Sequence, residues 1–124
     1  MMKLDLLMNR AKDQKAAAVC GDALAKDYWD ESGLLNAMSW NIITMEGVSD
    51  AMKVHATDWA ARADELTEHK DSSIIDTLAR CYFERGDVQK AIELQTEAVA
   101  ISDPSQTKAL KDTLDKYKAS LDQA

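Results

Sequence analysis

The residues best placed to do chemistry in this chain are its two histidines and two cysteines. His55 and Asp58 stand one helical turn apart, as do Glu65 and His69. An imidazole beside a carboxylate at that spacing could bind zinc, but a zinc site needs three or four ligands converging on one point. In a chain that is 30% charged, such pairs arise readily by chance. Cys20 and Cys81 lie 61 residues apart, with no C-x-x-C and no metal-ligand spacing. They read as small apolar residues on helices. There is no Gly-rich phosphate loop, and no serine or cysteine in a nucleophile-elbow context. The expectation is a protein that is not an enzyme, with no metal and no cofactor.

The elements that position any site are helices. The chain has 124 residues, enough for one domain with a core of its own. It has only 4 Gly and 1 Pro, and its composition is rich in Ala, Leu, Lys, Glu and Asp, with no strand-like alternation. That is an all-α composition. The net charge of −7 opposes nucleic acid or an anionic membrane as partner. No apolar run reaches 18 residues and no targeting segment is present, so no membrane insertion is expected. The default compartment is the cytoplasm, with export open if the chain belongs to a longer protein.

The most regular stretch is Ser72–Ser105. Its first half places Ile74, Ile75, Leu78, Ala79, Tyr82 and Phe83 at helical spacing. Ser72 or Ser73 is the expected cap, with Asp76 in capping-box position. Gly86 ends this helix near Arg85. Asp87 caps a second helix over 88–101, which carries Ala91, Ile92, Leu94, Gln95, Ala98, Val99 and Ile101. Pro104 stops that helix and opens the next element. Ala79 on the first helix, and Ala91 and Ala98 seven apart on the second, are small residues where two helices would cross closely. This 34-residue unit resembles a tetratricopeptide (TPR) repeat through Leu78, Ala79, Tyr82, Gly86, Ala91, Ala98 and Pro104.

The pattern recurs. Residues 14–24, with Gln14, Lys15, Ala16 and Ala23, echo Gln89, Lys90, Ala91 and Ala98. A helix over 13–28 is therefore expected, paired with a short one over 3–11. The shortness of the latter reads as a chain that begins inside a repeat of a longer parent, or equally as a naturally clipped end repeat; one uninterrupted helix from Lys3 to Tyr28 is the alternative. Asp30 or Ser32 then caps a helix over 33–45 with Ser39 at the crossing place, and Ser49 or Asp50 caps a helix over 51–69 with Ala56 and Ala63 seven apart. About five extra residues fall around Met45–Ala51, as a longer loop, an added turn or both. A last helix over 105–121 carries Ala109, Leu110, Thr113, Leu114, Tyr117 and Leu121 on one stripe, as a capping helix. The reading is a right-handed stack of about three antiparallel helix pairs, at about 1–30, 31–70 and 72–105, closed by that helix.

Leu35, Asn36, Trp40, Asn41, Trp59, Ala60, Ala63 and Asp76 to Ala79 also resemble the TPR-type helical segment of bacterial proteins that carry a thioredoxin-like domain, over Leu34–Ile101. No strand pattern or paired-cysteine motif accompanies them, so no redox activity is implied here. The TPR resemblance implies a concave face lined by the first helix of each pair. On it fall Asn36, Trp40 and Ile43 or Thr44, then Asp76, Arg80 and Phe83 or Glu84. With Thr44 and Glu84 as the polar choices, these form a candidate peptide groove. An aromatic and an arginine are the types that dominate interface energies. Helical spacing equally allows Trp40 in the core and Arg80 paired with Asp76 on its own helix. The expected function is a scaffold-like protein–protein interaction module that binds a peptide segment of another protein. The alternative is self-association as a homodimer, or docking within a larger, thioredoxin-fold parent.

Overall fold

Small residues set where the helices meet, and turn residues set where they end. The computed structural model describes residues 30–122. Five α-helices account for most of them: α1 Ser32–Ile43, α2 Asp50–Leu66, α3 Ser72–Glu84, α4 Val88–Ile101 and α5 Pro104–Asp122. No strand occurs among the described residues. The expected helices over 3–11 and 13–28, the first helix pair they would form and Cys20 lie outside the described residues.

Each helix packs on the next in the chain, and α1 also packs on α3. Ser39, Ala56, Ala63, Ala79, Ala91 and Ala98 are all fully buried, as the crossing pattern requires. Larger side chains fill the space between crossings: Leu35, Met38, Ile42, Met52, Trp59 and Ile75 are shut off from solvent. Each such side chain contributes roughly 1.5–3 kcal/mol through removal of apolar surface from water. At the α1–α2 crossing, the Ser39 hydroxyl donates to the Ala56 carbonyl at 2.8 Å and lies 3.3 Å from the Cys81 sulfur on α3. One small polar side chain thus joins three helices. Burial pushes the Cys81 thiol up to about 11, against the smaller opposing effects of the Ser39 and Thr57 hydroxyls. Cys81 is fully buried and packs in the core, in apolar surroundings that disfavour the thiolate.

The helix ends follow local chemistry, with several shifts from the sequence pattern. Ser49 caps α2 by accepting from the Met52 amide at 3.3 Å, and Asp87 caps α4 by accepting from the Lys90 amide at 3.2 Å. The cap of α3 is Asp71, not Ser72 or Ser73. Its carboxylate accepts from the amides of Ser73 and Ile74, a stronger acceptor at the positive helix end. Ser72 is buried and donates instead to Gln106 on α5 at 3.0 Å. Glu31 precedes α1 without a side-chain cap. The extra residues of the α1–α2 pair appear both ways: the connection spans 44–49 against 85–87 in the α3–α4 pair, and α2 has 17 residues against 14 in α4.

Two stripes are shorter than the periodicity predicts. Ile101 closes α4 exposed to solvent, and on α5 only Leu110, Leu114 and Tyr117 are buried, with Leu121 exposed and Ala109 exposed. Helix α2 also stops at Leu66 rather than at 69. Its end is a Schellman turn, with the Glu68 amide bonded to the Glu65 carbonyl and the His69 amide to the Asp64 carbonyl. The same pair of bonds ends α3, from Gly86 to Phe83 and from Asp87 to Tyr82. There the left-handed position is Gly86, at φ 88°, where glycine carries no side-chain penalty.

Candidate functional site

Helices α1 and α3 pack on each other and bring four of the six expected groove residues together. Trp40 is 39% exposed despite its size. Its neighbours on α1 at 38, 39, 42 and 43 are all buried, so the indole marks where the core stripe of α1 gives way to surface. The Arg80 guanidinium from α3 stands over that ring, its Cζ 6.0 Å from the centroid, within cation–π range. Arg80 Nε–H donates to Glu84 Oε1 at 2.9 Å. The ion pair therefore runs one turn forward to Glu84, not back to Asp76. Thr44 is exposed at the end of α1, and its hydroxyl donates to the Trp40 carbonyl at 2.7 Å. These four residues, Trp40, Thr44, Arg80 and Glu84, come together.

Beside them is a pocket of about 410 Å³, walled by the α1–α2 connection from Ile43 to Val48 and by Lys53, Arg80 and Glu84. Gly47 adopts φ 71° in that wall. Lys53 reaches across from α2 to donate to the Glu84 carbonyl at 3.1 Å. Lys53 and residues Met45 to Val48 belong to the pocket, but the repeat pattern does not single them out. The one signal that pointed near them was the extra length around Met45–Ala51. The pocket mixes two cations, Lys53 and Arg80, with Glu46 and Glu84, and with apolar wall from Ile43, Met45 and Val48. Its two cations and two carboxylates balance in formal charge.

Asp76 and Asn36 behave differently from the other four. The Asp76 carboxylate accepts from Gln95 Nε2 at 2.9 Å, and the same amide donates to the Leu110 carbonyl at 3.0 Å. Gln95 is fully buried. Asp76 thus ties α3 to Gln95 on α4, and Gln95 in turn ties α4 to α5. Burial raises its pKa, against the Gln95 hydrogen bond and the charge of Arg80. Next to it, Tyr117 of α5 is 3% exposed and stacks on Phe83 with ring centroids 4.5 Å apart. Burial first, then the nearby Asp76 carboxylate, pushes the Tyr117 hydroxyl well above the ordinary value. Asn36 is half-buried, and its side-chain oxygen is buried with no hydrogen-bond partner.

The histidine pairs of the sequence take other partners. His69 is bonded to Asp64 and Glu97, Glu65 pairs with Arg62, and the His55 ring lies 6.3 Å from Trp59. Among the described residues, no group of three or more His, Cys, Asp or Glu is disposed to hold a metal ion. No helix among them is long and apolar enough to cross a membrane. No family model, no curated protein and no solved structure matches the chain.

Proposed function

We propose that this chain is a non-catalytic protein–protein interaction module of the TPR type, which takes a peptide segment of a partner along the edge shared by α1 and α3. The solenoid reading is supported by the packing order, each helix on the next with α1 also on α3, and by buried small residues seven apart on α2 and on α4. A stack of this kind leaves one face of its first helices free for a ligand.

The observation that carries the binding role is Trp40. A large aromatic kept at the surface, faced by an arginine and adjoining a pocket, has the composition of an interface hot spot. The ligand is an extended or helical segment that is neutral or basic overall, as the net charge of −7 favours. Trp40 takes an apolar or cationic side chain, and Arg80 is held by Glu84 to meet one acceptor.

Peptides selected from a random library on the immobilised chain supply the ligand for a test. Trp40→Ala and Arg80→Ala should each weaken binding by about 2 kcal/mol or more, whereas Lys90→Ala and Lys111→Ala on outer faces should change it little. Unchanged affinity in a folded Trp40→Ala variant, with loss of binding on an outer-face substitution, would overturn the groove. A stable dimer in sedimentation that shields Trp40 from acrylamide would shift the role to self-association.

A further inference from the structure

The turn between α2 and α3 holds a cluster that the groove does not use. Glu68 and His69 both adopt left-handed backbone, at φ 56° and 58°, which side chains other than glycine rarely take. The His69 ring is gripped from both sides. Nδ1 lies 2.7 Å from Asp64 Oδ2 on α2, and Nε2 lies 2.5 Å from Glu97 Oε2 on α4. Ionised carboxylates only accept, and a neutral imidazole has a single N–H. Both bonds can therefore exist only when the ring carries both protons. Asp64 from α2 and Glu97 from α4 are the charged groups acting on the ring. The others nearby have their own partners: Lys70 bonds Glu68, Glu65 bonds Arg62, and Asp71 caps α3. The Asp64 side chain is only 14% exposed, and its second oxygen is buried without a hydrogen-bond partner. It therefore depends on the imidazolium for its stabilisation.

We propose that Asp64, His69 and Glu97 form a proton-dependent latch that fastens the α2–α3 turn to α4, and so couples the two helix pairs. Its hydrogen bonds, to Asp64 first and then Glu97, favour the charged ring over partial burial and raise its pKa above the ordinary 6.5. A raised folded value means that the stability the protonated ring contributes is fully present below the unfolded value and is lost as the pH rises through the folded one, where the latch opens. On opening, one ring proton leaves to water. The bond lost is the one to Glu97, which is the more exposed carboxylate and is distant in sequence.

The test is an NMR titration of the whole chain that follows the His69 ring carbons and the backbone amides of residues 67–71 and 97. The ring midpoint should lie above ~6.5, and the amides should move with that midpoint. Glu97→Gln should lower the midpoint, and His69→Gln should remove the step from the amides while the fold is kept. A wild-type midpoint at or below the ordinary value overturns the latch. So does a midpoint unmoved by Glu97→Gln, or an amide step that persists in His69→Gln.

Discussion

The face along α1, α3 and α5 has two halves that use similar residues differently. Between α1 and α3, Trp40 is exposed, Arg80 leans over it, and a pocket opens at their ends. Between α3 and α5, the aromatic partner is Tyr117, buried against Phe83, and the polar partners Asp76 and Gln95 bond each other and the Leu110 carbonyl. An aromatic with polar neighbours is surface in one half and core in the other. What separates them is the neighbouring element: α5 covers the second half, while α1 leaves the edge of the first open. The polar groups of the covered half hold α5 in place, and the open half is where the proposed partner would bind.

Truncation at matched positions should expose this difference. The largest effect is expected in the covered half, where Tyr117→Ala removes a buried, stacked ring. It should destabilise by about 3–5 kcal/mol, as for other large buried aromatics, read from denaturant unfolding. Gln95→Leu keeps the volume but strips the donor from both Asp76 and the Leu110 carbonyl. Unsatisfied buried acceptors of this kind cost about 1–3 kcal/mol, and a smaller loss would mean that water replaces the amide. Asp76→Asn tests the electrostatics of the same spot. With its folded pKa above the ordinary 3.8, Asp76 destabilises the fold when ionised. That penalty is absent below the unfolded value and complete above the folded one. The variant should therefore gain on its parent as the pH rises from below the ordinary carboxylate value through the raised folded one, and parallel stability curves would refute the assignment. The smallest effect is expected in the open half: truncation of the partly exposed Trp40 to Ala should cost less stability than that of Tyr117, read from the same denaturant unfolding.

The helices were legible in the sequence because their signals are local. Apolar spacing located α1 to α5, and Asp87, Gly86, Ser49 and Pro104 marked ends that the fold uses as expected. Small residues at 39, 56, 63, 79, 91 and 98 identified the buried crossings. The misplacements have physical causes. Asp71 outcompetes the serines as a cap because it carries charge, and α2 stops early because Glu68 and His69 turn left-handed. Of the six candidate groove residues, Trp40, Thr44, Arg80 and Glu84 assemble as one group, and Asn36 does not join it. Asp76 is drawn aside by Gln95, a polar residue inside an otherwise apolar stripe whose partner lies 19 positions away. Lys53 joins the pocket from the neighbouring helix, and the His69 grip reaches Glu97 across 28 positions. No spacing rule within a single helix could pair such residues.

The central claim is that the open half of this face is the binding surface. Its most direct test is a two-dimensional NMR titration of the chain with a library-selected peptide. The account predicts that the Trp40 indole N–H, the Arg80 Nε–H and the amides of residues 44–48 shift together, while Gln95 and Tyr117 stay fixed. Shifts centred instead on Val54 or Ile101, the exposed apolar residues of α2 and α4, with Trp40 unmoved, would contradict it.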